Sequence, residues 1–98
     1  MTTTFVTRHE GAVEWARKHG IEADERIEQF DTSTVAPGDT VIGTLPVNLA
    51  GEVCARGGRY IHLSLEVPKS ERGKELSAND MERFGATLEA YEVRRVEK

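Results

Sequence analysis

The chain has 98 residues, 38% of them hydrophobic and 31% charged, with thirteen basic and seventeen acidic side chains for a formal charge of −4. That length suits one domain over residues 1–98, and the composition is that of an ordinary globular protein, which excludes a disordered chain. The acidic balance disfavours general adhesion to long nucleic acid, no run approaches the roughly 18 apolar residues of a membrane span, and a single cysteine, Cys54, excludes an internal disulfide. The opening residues Met1 to Phe5 have neither the basic nor the apolar region of a secretory signal, so a soluble cytoplasmic chain in a reducing compartment is expected.

Residues 2–7, β-branched and aromatic, read as a first strand that stops at Arg8-His9-Glu10-Gly11. Over residues 11–19, Ala12, Val13, Trp15 and Ala16 gather on one helical face and Glu14 precedes Lys18 by four, which predicts a helix ended by Gly20. Ile21, Ile27 and Phe30 anchor a short, partly exposed strand near residues 26–30. Pro37-Gly38-Asp39 is a turn signal leading into Thr40-Val41-Ile42-Gly43, the clearest buried strand. Pro46 suits the first turn of a second helix, whose stripe of Leu49, Ala50, Val53 and Cys54 ends at Gly57-Gly58.

Residues 59–67 alternate cleanly: Ile61, Leu63 and Leu65 face one way, and Tyr60, His62 and Ser64 the other. A charged loop over residues 68–75 follows. Ser77 and Asp80 then have the spacing of a capping box, flanked by Leu76 and Met81 in staple positions, which predicts a short helix to about Phe84. Beyond Gly85, residues 87–96 are expected to form a final strand through Tyr91, Val93 and Val96, with a continuing helix through Leu88 and Tyr91 as the rival. Strands separated by helices predict an α/β fold: a small Rossmann-like, three-layer domain with a mostly parallel sheet and an antiparallel C-terminal strand.

In such sheets ligands collect beyond the carboxyl ends of the strands, where loops run into helix N-termini. Two corners qualify, Thr7-Arg8-His9-Glu10-Gly11 and Gly43-Thr44-Leu45-Pro46-Val47-Asn48. Between them they offer helix N-termini, a guanidinium, an imidazole and a hydroxyl, the groups needed to bind a phosphodiester. No P-loop and no G-x-G-x-x-G is present, so Walker-type hydrolysis and ordinary dinucleotide binding lack a motif.

Arg8, His9 and Thr44 are the candidate catalytic residues. Thr7, Gly11, Gly43, Leu45, Pro46, Asn48, Ser64, Arg72 and Lys74 are the candidate ligand contacts. Each has a plainer alternative. Arg8 is otherwise a solvated surface group, His9 a helix cap, Gly43 a bend, and Thr44 a cap of the second helix. Arg72 and Lys74 share their loop with Glu71 and Glu75, as a solvated segment or as a lid. His62 reads as a hydrogen-bonded polar group of the sheet and Cys54 as a core thiol. His9, His19 and His62 fall on different elements, so no metal and no cofactor is expected.

Taken together, Val6-Thr7-Arg8-His9, Gly11-Ala12, Val41-Ile42-Gly43-Thr44-Leu45-Pro46, Tyr60-Ile61-His62-Leu63-Ser64-Leu65, Arg72-Gly73-Lys74-Glu75-Leu76-Ser77 and Met81-Glu82-Arg83-Phe84-Gly85 span nearly the whole chain. In order and spacing they resemble a small CRISPR-associated family found with type III systems. The resemblance implies a CARF-like homodimer that acts as a ring nuclease, cutting a cyclic oligoadenylate messenger, with cyclic tetra-adenylate as the expected substrate. It further implies attack by the ribose 2′-hydroxyl without a metal. Arg8 would then stabilise phosphoryl charge, His9 would transfer a proton, and Thr44 with the Gly43 backbone would orient the phosphate. The rivals are a non-catalytic sensor or sponge for the same ligand, an interaction subunit of the interference complex, and a thiol enzyme centred on Cys54.

Overall fold

Alternation along each strand decides which residues meet which helix. The computed structural model describes residues 1–97. Five strands, β1 (Thr3–Val6), β2 (Glu25–Ile27), β3 (Thr40–Gly43), β4 (Arg59–Ser64) and β5 (Thr87–Tyr91), form one sheet in the order β2-β1-β3-β4-β5. The first four run parallel, and β5 pairs antiparallel with β4. The helices are α1 (Glu10–Lys18), α2 (Val47–Ala55) and α3 (Ala78–Arg83).

Phe5, Ile42 and Leu63 are buried together with Ala12, Trp15 and Ala16 of α1 and Ala78 and Met81 of α3. Their strand neighbours Val41 and Tyr60 point the opposite way and are buried with Ala50 and Val53 of α2. The result is the expected three-layer, mostly parallel α/β domain with an antiparallel last strand. No helix among the described residues is long and apolar enough to cross a membrane.

The connections wind in two directions. From β1 the chain passes through α1 to β2 on one side, and from β3 it passes through α2 to β4 on the other. The reversal falls between β1 and β3, whose last paired residues are Val6 and Gly43. At such a reversal the two loops leave towards opposite faces and a crevice opens at the carboxyl edge.

Four elements depart from the sequence expectation. β2 spans Glu25–Ile27 and does not reach Phe30, because Phe30 turns in against the α2-side core and the Asp31 carboxylate accepts from Ser33 N–H (2.9 Å) to cap a 3₁₀ turn over Thr32–Thr34. β4 ends at Ser64, opposite Thr87, although Leu65 and Val67 still pack on the α1-side core. β5 ends at Tyr91 and not near Val96, because Val93 turns onto α2, its N–H donating to Cys54 Sγ (3.5 Å). Pro46 stands just before α2, in extended conformation, and not inside its first turn.

The short helix α3 has both arms of the expected capping box. Asp80 N–H donates to Ser77 Oγ (3.1 Å) and Ser77 N–H to the Asp80 carboxylate (3.0 Å). A polar clasp then fixes α3 to α1: the Trp15 indole N–H donates to Glu82 Oε1 (2.7 Å), His19 Nε2 contacts the same oxygen, and the Trp15 and His19 rings lie 4.5 Å apart. The His19 bond first, and the Trp15 bond second, hold the Glu82 carboxyl below the usual carboxylate range.

A carboxylate whose pKa is lowered by folding stabilises the native state above its unfolded value of about 4.3, and that contribution fades as pH falls through the folded value. Glu82→Gln is therefore expected to lower stability at neutral pH and to flatten the loss of stability on acidification below about pH 5. Urea unfolding across a pH series measures both. A variant as stable as wild type at pH 7, with the same acid limb, contradicts the clasp.

Candidate functional site

The β1–α1 corner is shaped by its own short hydrogen bonds. Thr7 Oγ1 accepts from His9 N–H (3.1 Å), and the Thr7 carbonyl accepts from the Arg26 guanidinium (3.1 Å), which also pairs with Glu10 at 3.7 Å. His9 is the residue before α1, and its ring turns away from the helix and does not cap it. Its Nδ1 accepts from Leu76 N–H (3.3 Å). That bond uses the Nδ1 lone pair, so the proton of the neutral ring resides on Nε2.

Gly11 makes the approach possible. A Cβ there would collide with the Leu76 carbonyl oxygen and lie 2.7 Å from Ser77 Cα. Gly11 is thus a packing position against the backbone of residues 76–77, and it does not line the cleft described below. By docking on α1 in this way, the chain after the charged loop brings Arg72 and Lys74 to the β1 corner.

Arg8, His9, Arg72 and Lys74 line one cleft of about 320 Å³, with Leu65, Val67 and Leu76 as apolar wall and Glu71 as the acid. Three cations face one carboxylate on a chain of net charge −4. Arg8 is exposed and makes no hydrogen bond or ion pair among the described residues.

The second corner is adjacent in the sheet but its polar groups are already engaged. Thr44 Oγ1 donates to the Leu63 carbonyl (2.8 Å), so it does not cap α2, and its proton is not directed at a ligand. Leu45 N–H donates to the Tyr60 hydroxyl (2.9 Å), which donates in turn to the carbonyl of buried Gly43 (3.1 Å). Pro46 has no N–H to offer. Ser64 ends β4 opposite Thr87 and is not part of the cleft lining. Asn48 lies apart, in a larger groove between α2 and residues 92–97, where Glu52, Glu92 and Glu97 face Arg94 and Arg95. Among the described residues that groove has no cationic excess. The structure therefore assembles Arg8, His9, Arg72 and Lys74, and leaves the remaining candidates outside the cleft lining, as packing, hydrogen-bonded or distant positions.

Tyr60 is the residue that sequence reasoning passed over. Its hydroxyl also lies 2.6 Å from His62 Nδ1. With the phenolic proton given to Gly43, Nδ1–H of His62 is the donor in that contact, which leaves His62 Nε2 with its lone pair. The His62 and Tyr91 rings meet edge to face at 5.9 Å. Burial pushes the Tyr60 hydroxyl above the usual phenol range, with the Leu45 N–H bond partly offsetting it, so the group stays neutral and serves as a fixed bridge. A tyrosine on the buried face of a strand needs a partner for its hydroxyl, and that is the signal that could have found it. Arg26, in a weakly patterned charged segment, carries no such signal.

The fold and the cleft define a three-layer α/β domain with a cationic site at the reversal of its sheet. Residues 4–94 match the family described as "Putative CRISPR-associated protein (Cas_VVA1548)", and the chain belongs to that family. No curated protein and no solved structure matches the chain.

Tyr60→Phe removes the one group that joins Gly43, Leu45 and His62. Leaving the Leu45 N–H without its partner is expected to cost about 1–3 kcal/mol of stability. It should also increase hydrogen exchange at Leu45 above that at core amides of β1. Unchanged stability and unchanged exchange at Leu45 would contradict the bridging role.

Proposed function

We propose that this protein is a ring nuclease that opens the cyclic oligoadenylate messenger of type III CRISPR systems, with cyclic tetra-adenylate as its ring, and so ends the response. The observation that carries the reading is the cationic cleft at the reversal point of the sheet, on an acidic chain of a CRISPR-associated family. A protein that is acidic overall repels long polyanions, yet a local group of Arg8, Arg72 and Lys74 with an imidazole N–H holds a small phosphodiester. A ring of four identical nucleotides has two-fold symmetry. A homodimer would present the same cleft to opposite halves of such a ligand.

The reaction asks little of the protein, since each RNA linkage carries its own nucleophile. The 2′-oxygen attacks the adjacent phosphorus, a 2′-O–P bond forms and the P–O5′ bond breaks; the 2′-hydroxyl proton passes to water and the 5′-oxygen takes one up. The product is a linear adenylate ending in a 2′,3′-cyclic phosphate. Holding the linkage in line and stabilising charge on the phosphoryl oxygens are the contributions left to side chains. Arg8 supplies the guanidinium and His9 the Nε2–H donor, with Arg72 and Lys74 from the same cleft lining. With Nδ1 engaged by Leu76, His9 acts in this scheme as a hydrogen-bond donor, and the proton-transfer role suggested by its residue type requires that bond to break. The same feature favours the second reading, a non-catalytic sponge, because a cleft without a free acceptor nitrogen on His9 binds a ring more readily than it cuts one.

Turnover separates the two. Purified protein incubated with excess cyclic tri-, tetra- and hexa-adenylate, with and without EDTA, is expected to consume a molar excess of the tetra-adenylate and to be indifferent to the chelator. Arg8→Ala and His9→Ala are expected to slow the step by about 10²- to 10³-fold. Arg8 is the cleaner variant, since no bond within the described residues depends on it. Intact ring retained in proportion to protein would establish the sponge, and Arg8→Ala cutting at the wild-type rate would remove the cleft from the reaction.

A further inference from the structure

The cleft already contains an anion of its own. Glu71 lines it together with Arg8, Arg72 and Lys74, and its carboxylate is divided between two cations: Oε2 lies 3.3 Å from Lys74 Nζ, and Oε1 lies 3.7 Å from Arg83 Nη2. The two partners differ in place. Lys74 belongs to the cleft, whereas Arg83 sits outside its lining on α3, where it also pairs with Asp80 at 3.3 Å and stacks on the Phe84 ring at 4.8 Å. Glu71 side-chain exposure is 30%, against 64% for Lys74 and 61% for Arg83, so the carboxylate is the more buried member and the lysine the one open to solvent.

We infer that Glu71 is an internal competitor of the ligand phosphate, and that binding proceeds by exchange: Lys74 leaves Glu71 for the incoming oxyanion while Arg83 keeps the Glu71 carboxylate. This rests on the anion-binding reading above and adds the regulation of that site. An ion pair between exposed long side chains contributes little net free energy, so Lys74 is released readily. A phosphate that takes its place brings charge and several acceptor oxygens to Arg8, His9 Nε2–H and Lys74 together. Gly73, between Arg72 and Lys74, has φ +85°, a conformation glycine adopts without strain, and nothing lies within 4 Å of where a Cβ would stand, so the segment borders open space there. Without Arg83, the Glu71 carboxylate would turn wholly to Lys74 and oppose the ligand more strongly. Removal of Glu71 and removal of Arg83 should therefore act in opposite directions, and Arg83 should matter only while Glu71 is present.

The test titrates the whole protein with inorganic phosphate, followed by the Gly73 and Leu76 amide resonances, and in parallel with cyclic tetra-adenylate. Glu71→Gln is expected to tighten phosphate by about 3- to 10-fold, the effect of removing one nearby negative charge in a solvent-exposed site. Arg83→Gln is expected to weaken it, Arg83→Lys to restore it, and the Glu71→Gln, Arg83→Gln double variant to bind as tightly as Glu71→Gln alone. Glu71→Gln binding no tighter than wild type overturns the exchange, as does an Arg83→Gln penalty that persists in the double variant or phosphate that binds none of the forms. If phosphate behaves as expected while cyclic tetra-adenylate is neither bound nor cut, the exchange stands and the nucleotide assignment falls. If the ring is cut but Glu71→Gln alters neither titration, the nucleotide assignment stands and the exchange falls.

Discussion

Parallel pairing of β1 with β3 is the constraint on which the rest depends. Their four residue pairs, from Thr3 with Thr40 to Val6 with Gly43, put two strand ends side by side although 37 residues of chain separate them. Because side chains alternate, Phe5 and Ile42 are committed to the α1 layer and Val41 to the α2 layer, so each end must leave the sheet towards a different face. A one-residue slip would exchange the two layers. The crevice is thus a consequence of register, and no dedicated motif is needed to create it.

What turns the crevice into a charged site is the segment after β4. The carboxyl end of β4 continues through Leu65 and Val67 along the α1-side core, and the chain is then tied down at Leu76 by the His9 ring and the bare Cα of Gly11. Leu76 and Met81 are buried, the Ser77–Asp80 box starts α3, and Glu82 joins α3 to Trp15 and His19 of α1. Residues 68–75 are anchored at both ends while Arg72, Gly73 and Lys74 remain exposed between them. Rigid ends with a solvated middle suit a segment that positions charge without contributing core.

Elements whose cause is local were readable in the sequence. The Thr40-Val41-Ile42-Gly43 strand, the Ala12–Ala16 helical face, the Ser77–Asp80 cap and the alternation from Tyr60 to Leu65 all follow from spacing within a few residues. Features that depend on partners far along the chain were not. Phe30 looks like a strand residue until the α2-side core claims it, and Val93 does so until α2 offers Cys54. At the site, the residue types of Arg8 and His9 suggested an anion while Arg72 and Lys74 read as a solvated segment or a lid, and the meeting of all four in one cleft depends on Gly11 admitting the Leu76 backbone, a contact across 65 residues. Thr44 and Leu45 appeared free in the sequence only because their partners, Leu63 and Tyr60, lie on the next strand.

The ligand is proposed to enter at the carboxyl edge between the β1–α1 corner and the segment after β4, and amide mapping tests it directly. A cyclic tetra-adenylate methylated on every 2′-oxygen cannot cut itself, so it can be titrated into labelled protein at equilibrium. The account predicts that the Arg8, His9, Gly73 and Leu76 amides shift and saturate together, while Gly38 and Gly57, hydrogen-bonded at the opposite edge of the sheet, stay still. Shifts confined to Asn48, Gly51 and residues 92–97, or to the Gly38–Gly57 edge, would contradict it.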